Sequence, residues 1–180
     1  MKKKQFKVVD NYLPEKDFKE ILNTVNNTGF TWTLADTLLG DGTDNPDDFY
    51  FTRVLIEKGA EIFPGSAKIV KILLNPIAKQ LNKKLFVTRS KINLFFKQKT
   101  HYGYGMHQDV IDGNGDFSVN YNSLLIYLEN SNGYTEFADG HTCGSVRNRA
   151  IFFRSDVVHQ TITSTDTKYR RNVNINYKIL

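Results

Sequence analysis

One cysteine, four prolines, four histidines and no long apolar run limit what this chain of 180 residues can be. The single Cys143 excludes an internal disulfide and any zinc site built from several cysteines, so a metal site here must use His and carboxylates. No stretch approaches the roughly 18 apolar residues that cross a bilayer as a helix. Met1-Lys2-Lys3-Lys4 is basic, but Gln5-Phe6-Lys7-Val8-Val9-Asp10 follows it with strand-like alternation and without the apolar centre of a signal peptide. These absences lead us to expect a soluble, cytoplasmic protein.

Against the scarcity of proline stand thirteen Phe and nine Tyr, which favour strand-rich globular structure over disorder. The length suits one domain over 1–180, with a helix- and strand-containing support region over 1–84 and a strand-rich core over 85–180. The net charge of +5 and the pI near 9.2 are mildly basic. Lys2 to Lys4, Lys83 with Lys84, and Lys97 with Lys99 can attract an anion, yet lysines on a solvated surface are commonplace. Charge alone does not make this a nucleic-acid protein.

Phe18, Ile21, Leu22 and Val25 recur at helical spacing after Pro14, which predicts a helix over about 14–26. A second helix is expected over 66–81, with Ile69, Ile72, Leu73, Ile77 and Leu81 as its buried stripe and a kink or break at Pro76. Residues 30–34 and 49–57 read as strands. The Gly-rich acidic stretch between them, 40–48, loosely resembles a calcium loop but lacks its closing Glu and flanking helix. From 85 onward, short aromatic and β-branched runs at 85–96, 102–110, 123–129, 134–137, 145–153, 157–163 and 171–179 alternate with polar turns such as 112–115. Helices first and strands later give an α+β, mainly β fold, a sandwich or jelly roll.

Within that region, Met106-His107-Gln108-Asp109 places a His and a carboxylate two residues apart, so on a strand both point to one face. A third ligand must come from another strand, and His159 in Val157-Val158-His159-Gln160 is the natural choice over its reading as an ordinary half-buried histidine. Two His and one carboxylate leave positions open on the metal, as oxygen-activating Fe(II) sites require. Eleven residues after His159 comes Arg170, placed to pair bidentately with a carboxylate near the metal. Arg170 and Arg171 must point to opposite faces of a strand, so only one enters. Spacing favours Arg170, with Arg171 the alternative. His101 and His141 are spare, and His141-Thr142-Cys143 reads as structural or solvent-facing rather than as a second metal site.

Together, these residues resemble the Fe(II)/2-oxoglutarate-dependent dioxygenase superfamily, whose motif is His-x-Asp, a distal His and a downstream Arg or Lys. The spacing to Arg170 is similar to that of phytanoyl-CoA-hydroxylase-type and phage or bacterial members. Asn132-Gly133-Tyr134-Thr135-Glu136-Phe137 resembles the Gly-Gly-Glu-Thr-x-Phe stretch of prolyl-hydroxylase-like enzymes, with Asn for the first Gly and Tyr for Glu. Tyr127 resembles the tyrosine that helps the arginine hold 2-oxoglutarate there, and Tyr104 an aromatic beside the metal; both also read as core aromatics. Ile92-Asn93-Leu94-Phe95 is similar to a segment of AlkB-type nucleic-acid demethylases and implicates Asn93 in cosubstrate binding. Asn176 and Phe95 depart from that type, where a second arginine and a tyrosine are usual.

The resemblance covers about 90–178 and implies a double-stranded β-helix with helices packed outside. It implies Fe(II) on His107, Asp109 and His159, 2-oxoglutarate held by Arg170, and O2 as oxidant. The implied outcome is hydroxylation of a C–H bond with release of succinate and carbon dioxide, with loops 36–48 and 110–120 covering the substrate. The substrate class it implies first is a protein or peptide side chain, then a small molecule, then nucleic acid. A cupin-like binding module without oxygenase activity is the reading from a different class.

Overall fold

The computed structural model describes residues 5–35, 49–109 and 121–180. The expected loops at 36–48 and 110–120, with the acidic stretch and the 112–115 turn inside them, lie outside the described residues. In chain order the elements are β1 (Phe6–Val9), α1 (Glu15–Val25), β2 (Thr33–Ala35), β3 (Tyr50–Glu57), β4 (Ala60–Glu61) and α2 (Ser66–Leu81). Then come β5 (Leu85–Phe96), β6 (Asn122–Tyr127), β7 (Tyr134–Phe137), β8 (Thr142–Gly144), β9 (Ala150–Arg154), β10 (His159–Ile162) and β11 (Tyr169–Ile179). The larger sheet has the order β1-β9-β6-β11-β5-β3-β2, with β4 against β3, and the smaller is β10-β7-β8. Every pairing is antiparallel. This is the expected mainly β jelly roll with helices outside. Strands β1 and β3, from the first 84 residues, are built into its larger sheet.

Side chains alternate across each strand, so the larger sheet has two unlike faces. Its outer face carries Ile92, Leu124, Ile126, Val173 and Ile175, which pack with Phe18 and Ile21 of α1 and Leu73 of α2. Burial of such side chains stabilises by about 1.5–3 kcal/mol each, and this face holds the helices on. Part of the inner face, with the smaller sheet, forms a second apolar cluster of Phe6, Leu125, Phe137, Ile151, Phe153 and Val157. The rest of the inner face carries an aromatic cluster of Tyr50, Phe95 and Tyr104 beside polar side chains.

Pro76 lies inside α2 without dividing it. The residues buried on the sheet are Ile69, Val70, Leu73 and Leu74, whereas Ile72 and Ile77 are half-buried and Leu81 is exposed. The expected strand at 102–110 is replaced by two isolated bridges, Gly103 with Ile162 and His107 with His159. Between the bridges the chain advances four positions from Gly103 to His107 but three from His159 to Ile162, so one extra residue is accommodated, and Gly105 at φ 94° takes up the irregularity. The expected 145–153 strand is confined to β9, because Asn148 sits at φ 60° and turns the chain just before it.

That turn ties the N-terminus down. The Asn148 side chain accepts from Leu13 N–H at 3.0 Å and donates to the Leu13 carbonyl at 2.8 Å, all of it buried. Asn148→Ala leaves both Leu13 groups unpaired and puts a less tolerant residue at positive φ. It is expected to cost about 3 kcal/mol, read as a lower urea midpoint at unchanged slope.

Candidate metal centre

His107 and His159 each donate a backbone N–H to the other's carbonyl at 2.9 Å, and this bridge sets their rings side by side with centroids 4.7 Å apart. Asp109 is fixed two residues on by its own N–H, which donates to Ser155 O at 3.1 Å. Side-chain donor atoms of His107, Asp109 and His159 all lie within 4.8 Å of one another, and among the described residues no other such cluster occurs. The convergence expected of a strand is therefore delivered by a bulged segment.

The surroundings orient the ligand atoms. His107 Nδ1 faces Gly105 O at 3.1 Å and His159 Nδ1 faces Val157 O at 2.9 Å. A carbonyl oxygen only accepts, so each Nδ1 carries its proton and each Nε2 keeps a lone pair for a metal. The Asp109 carboxylate accepts from the Ser123 hydroxyl and, at 3.1 Å, from the Asn174 amide. Asn176 in turn donates to Ser123 Oγ at 3.0 Å.

Charge follows the same design. Burial pushes the Asp109 carboxyl up, but His159, His107 and the hydrogen bonds from Ser123 and Asn174 outweigh it and hold the group below its usual range. Burial, reinforced by the neighbouring His159, lowers His107 to about 4. At neutral pH the site thus presents an anionic carboxylate and a neutral His107, the forms that bind metal.

Arg170 and Arg171 divide as the pleat requires. Arg171 points outward, where Glu129 pairs with its guanidinium and Asn26 accepts at 2.8 Å. Arg170 points inward, has no exposed surface, and none of its three guanidinium nitrogens has a hydrogen-bond acceptor among the described residues. Its nearest aromatic partner is Tyr127, whose ring centroid lies 5.1 Å from the guanidinium carbon. Burial lowers the Arg170 pKa, but an arginine stays charged at neutral pH. A buried cation without an acceptor is costly, and an anionic ligand would offset that cost.

The remaining expected residues are placed as follows. Tyr127 offers its ring to Arg170, while its hydroxyl is engaged by Thr135 Oγ1 at 2.8 Å and the Cys143 carbonyl at 3.0 Å. Asn93 lies on the inner face, donating to Asn172 Oδ1 at 3.1 Å and accepting from Thr52 at 3.2 Å. Tyr104 is buried in an aromatic cluster with Tyr50 and Phe95, its hydroxyl donating to Phe49 O at 3.0 Å. His101 Nδ1 lies 2.8 Å from Thr163 O, and His141 pairs with Asp139 at 3.1 Å. Both are outside the cluster, and Cys143 is buried and outside any disulfide.

Two contributors are not foreseen in the sequence reading: Ser123 and Asn174. The signal for the second was present, since Arg170, Asn172, Asn174 and Asn176 occupy every other position of a strand otherwise rich in Val, Ile and Tyr. Gly133 also has a specific task. A Cβ there would stand 2.8 Å from Arg170 Cδ and 3.0 Å from Ile162 O, so the arginine stem lies directly on the Gly133 backbone.

No family model matches the sequence, and no curated protein matches it. Solved structures do match the fold. A 2OG-Fe(II) oxygenase family oxidoreductase from Burkholderia pseudomallei aligns with 97% of this chain and 85% of its own, at TM-score 0.68 and 13% identity. A prolyl hydroxylase from Trichoplax adhaerens, in complex with a hypoxia inducible factor peptide fragment, covers 97% and 83% at TM-score 0.62 and 14% identity. The viral collagen prolyl hydroxylase of Paramecium Bursaria Chlorella virus-1, as a 2OG complex, covers 98% and 97% at TM-score 0.56 and 12% identity. The chain has the fold that these oxygenases share.

Two measurements probe the site. Gly133→Ala pushes against the Arg170 stem and backbone and is expected to destabilise by about 2 kcal/mol in urea unfolding. Gly144→Ala, whose added carbon meets nothing within 4 Å, serves as the near-neutral comparison. The folded state protonates His107 near pH 4 and the unfolded chain near 6.5, so the unfolded state binds more protons between those values. The metal-free protein therefore loses stability as pH falls through that window. His107→Gln is expected to flatten the decline of the thermal midpoint between about pH 7 and about pH 4.5.

Proposed function

We propose that this protein is an Fe(II)- and 2-oxoglutarate-dependent dioxygenase that hydroxylates a C–H bond of its substrate. The observation that carries the reading is Arg170, a buried guanidinium without an acceptor, on the same interior face as the Asn174 amide that holds Asp109. A cluster of two His and one carboxylate fits Fe(II), and it leaves positions open for a chelating cosubstrate and oxygen. The orphaned guanidinium fits the far carboxylate of a dianion. Bound there, iron with 2-oxoglutarate and oxygen supplies oxidative decarboxylation to succinate and carbon dioxide, coupled to hydroxylation of the substrate.

The chain's own residues supply position. His107 and His159 present Nε2 because Gly105 and Val157 carbonyls hold their Nδ1 protons. Ser123 and Asn174 fix the carboxylate of Asp109, and Asn176 steadies Ser123. Arg170 would anchor the distal carboxylate, with Tyr127 as the ring beneath it, and Asn93 and Tyr104 would border the cosubstrate cavity. Phe153 and Phe137 pack beside His159 and exclude water from that side of the metal.

A peptide side chain or a small molecule is the substrate class we favour over a nucleobase. The hypoxia inducible factor peptide in the Trichoplax adhaerens structure is consistent with the first. Against nucleobase demethylation, Asn176 is committed to Ser123 and supplies no second cation. A cupin-like binding module gives no role to a buried, unpaired arginine.

Incubated with Fe(II), 2-oxoglutarate and oxygen, the wild type is expected to form succinate. Asp109→Ala should lower that turnover by about a hundredfold or more. Arg170→Gln should raise the KM for 2-oxoglutarate by about a hundredfold, the cost of leaving one partner of a buried ion pair alone. Absence of succinate, together with absence of Fe(II)-dependent 2-oxoglutarate binding by calorimetry, rules the reading out.

A further inference from the structure

Lys91 is a second buried cation inside the barrel, and the dioxygenase chemistry leaves it without a task. It lies on β5 directly across from Asn174 of β11, so it shares the inner face with the residue whose amide holds Asp109. The residue is about nine-tenths buried. Its ammonium makes one hydrogen bond, a long one of 3.4 Å to the Tyr50 hydroxyl, and stands 5.5 Å from the Tyr50 ring centroid. No carboxylate among the described residues lies within ion-pair distance of Nζ. Arg89, two residues along the strand, adds repulsion and has its own partner in Glu57 at 3.5 Å.

Charge counting shows what is missing. Fe(II), the Asp109 carboxylate, the 2-oxoglutarate dianion and the Arg170 guanidinium sum to neutrality. The Lys91 ammonium then remains as uncompensated positive charge in a water-poor interior, where an ion without a counter-ion is costly. Asp109 and Glu57 attract the ammonium from a distance, but neither forms an ion pair with it: Asp109 is held by two other donors and Glu57 pairs with Arg89.

Resting on the dioxygenase reading, we propose that Lys91 binds an anionic group of the substrate, a carboxylate or a phosphate, and so orients the substrate beside the metal and selects for anionic molecules. Tyr50, stacked on Phe95 with centroids 5.3 Å apart, holds the phenol that bonds the amine. Burial together with Arg89 lowers the ammonium to about 8, so most of it is still charged at neutral pH and strengthened by an arriving anion.

The test uses the full chain loaded with Mn(II) and saturating 2-oxoglutarate without oxygen. Mn(II)-induced broadening of the methyl proton signal is followed for N-acetylglycine, for methyl phosphate and for the neutral N-acetylglycinamide. Wild type should broaden at least one anionic probe about tenfold more than the amide, and Lys91→Met should remove that preference while Lys91→Arg keeps it. Whichever anion responds, carboxylate or phosphate, identifies the group carried by the substrate. Equal broadening of anions and amide in wild type, or an undiminished preference in Lys91→Met, overturns the inference. So does loss of 2-oxoglutarate binding in Lys91→Met as complete as in Arg170→Gln, which would assign the amine to the cosubstrate. A wild type that takes up neither Mn(II) nor 2-oxoglutarate brings down the dioxygenase reading and this inference with it.

Discussion

The pleat of β11 is the constraint on which the rest of the molecule depends. A strand covered on both sides has no neutral face, so each side-chain position must suit either the helices or the barrel interior. Val173, Ile175 and Tyr177 face the helices, while Arg170, Asn172, Asn174 and Asn176 face inward. The outward set holds α1 and α2 in place. The inward set ends in Asp109 at one point and in an unpaired guanidinium at another. Fold and site are thus two readings of one strand, and a change that shifts its register by one residue would expose the apolar set to the polar interior and bury the amides among the helices.

Two buried cations and one carboxylate give the interior its electrostatic character. Arg171 is the informative comparison, since it sits next to Arg170 in sequence yet meets Glu129 and Asn26 on the other side of the sheet. A protein selected only for stability would treat Arg170 the same way. Leaving Arg170 and Lys91 without an ion-pair partner among the described residues costs folding stability, the kind of cost that a functional site is known to carry. Asn93 bonds to Asn172 and Thr52, while all three guanidinium nitrogens of Arg170, the Asn172 amide nitrogen and the Asn174 amide oxygen lack partners among the described residues, so the unmet demand is concentrated at Arg170 and shared by its neighbouring amides.

Much of this is legible in the sequence, for reasons that also mark where legibility stops. His107, Asp109, His159 and Arg170 stand out because few His are available and because the strand period limits which neighbours can share a face. The helix at 66–81 and the strand at 85–96 are found at their observed bounds from periodicity. The bulge before His107 is invisible in a pattern of residue types, since it depends on the positive φ of Gly105 and on a partner strand more than fifty residues away. Asn148 hides similarly, as an unremarkable Asn whose partners lie at Leu13. Lys91 escapes because a lysine in a strand reads as solvated until its cross-strand neighbours are known, and Ser123 because a serine carries almost no positional information of its own.

The Gly133 contact has a further consequence. With its stem laid against the Gly133 backbone, Arg170 is blocked on that side, so its position on the strand goes far to set where its guanidinium lies relative to Asn174 and Asp109. Inward positions on a strand recur every two residues, or about 7 Å. The separation between the cation and the amide that holds Asp109, both on β11, is therefore available to this architecture only in steps of that size. The sheet works as a ruler with coarse divisions, and any ligand held at both points would have to match one of them.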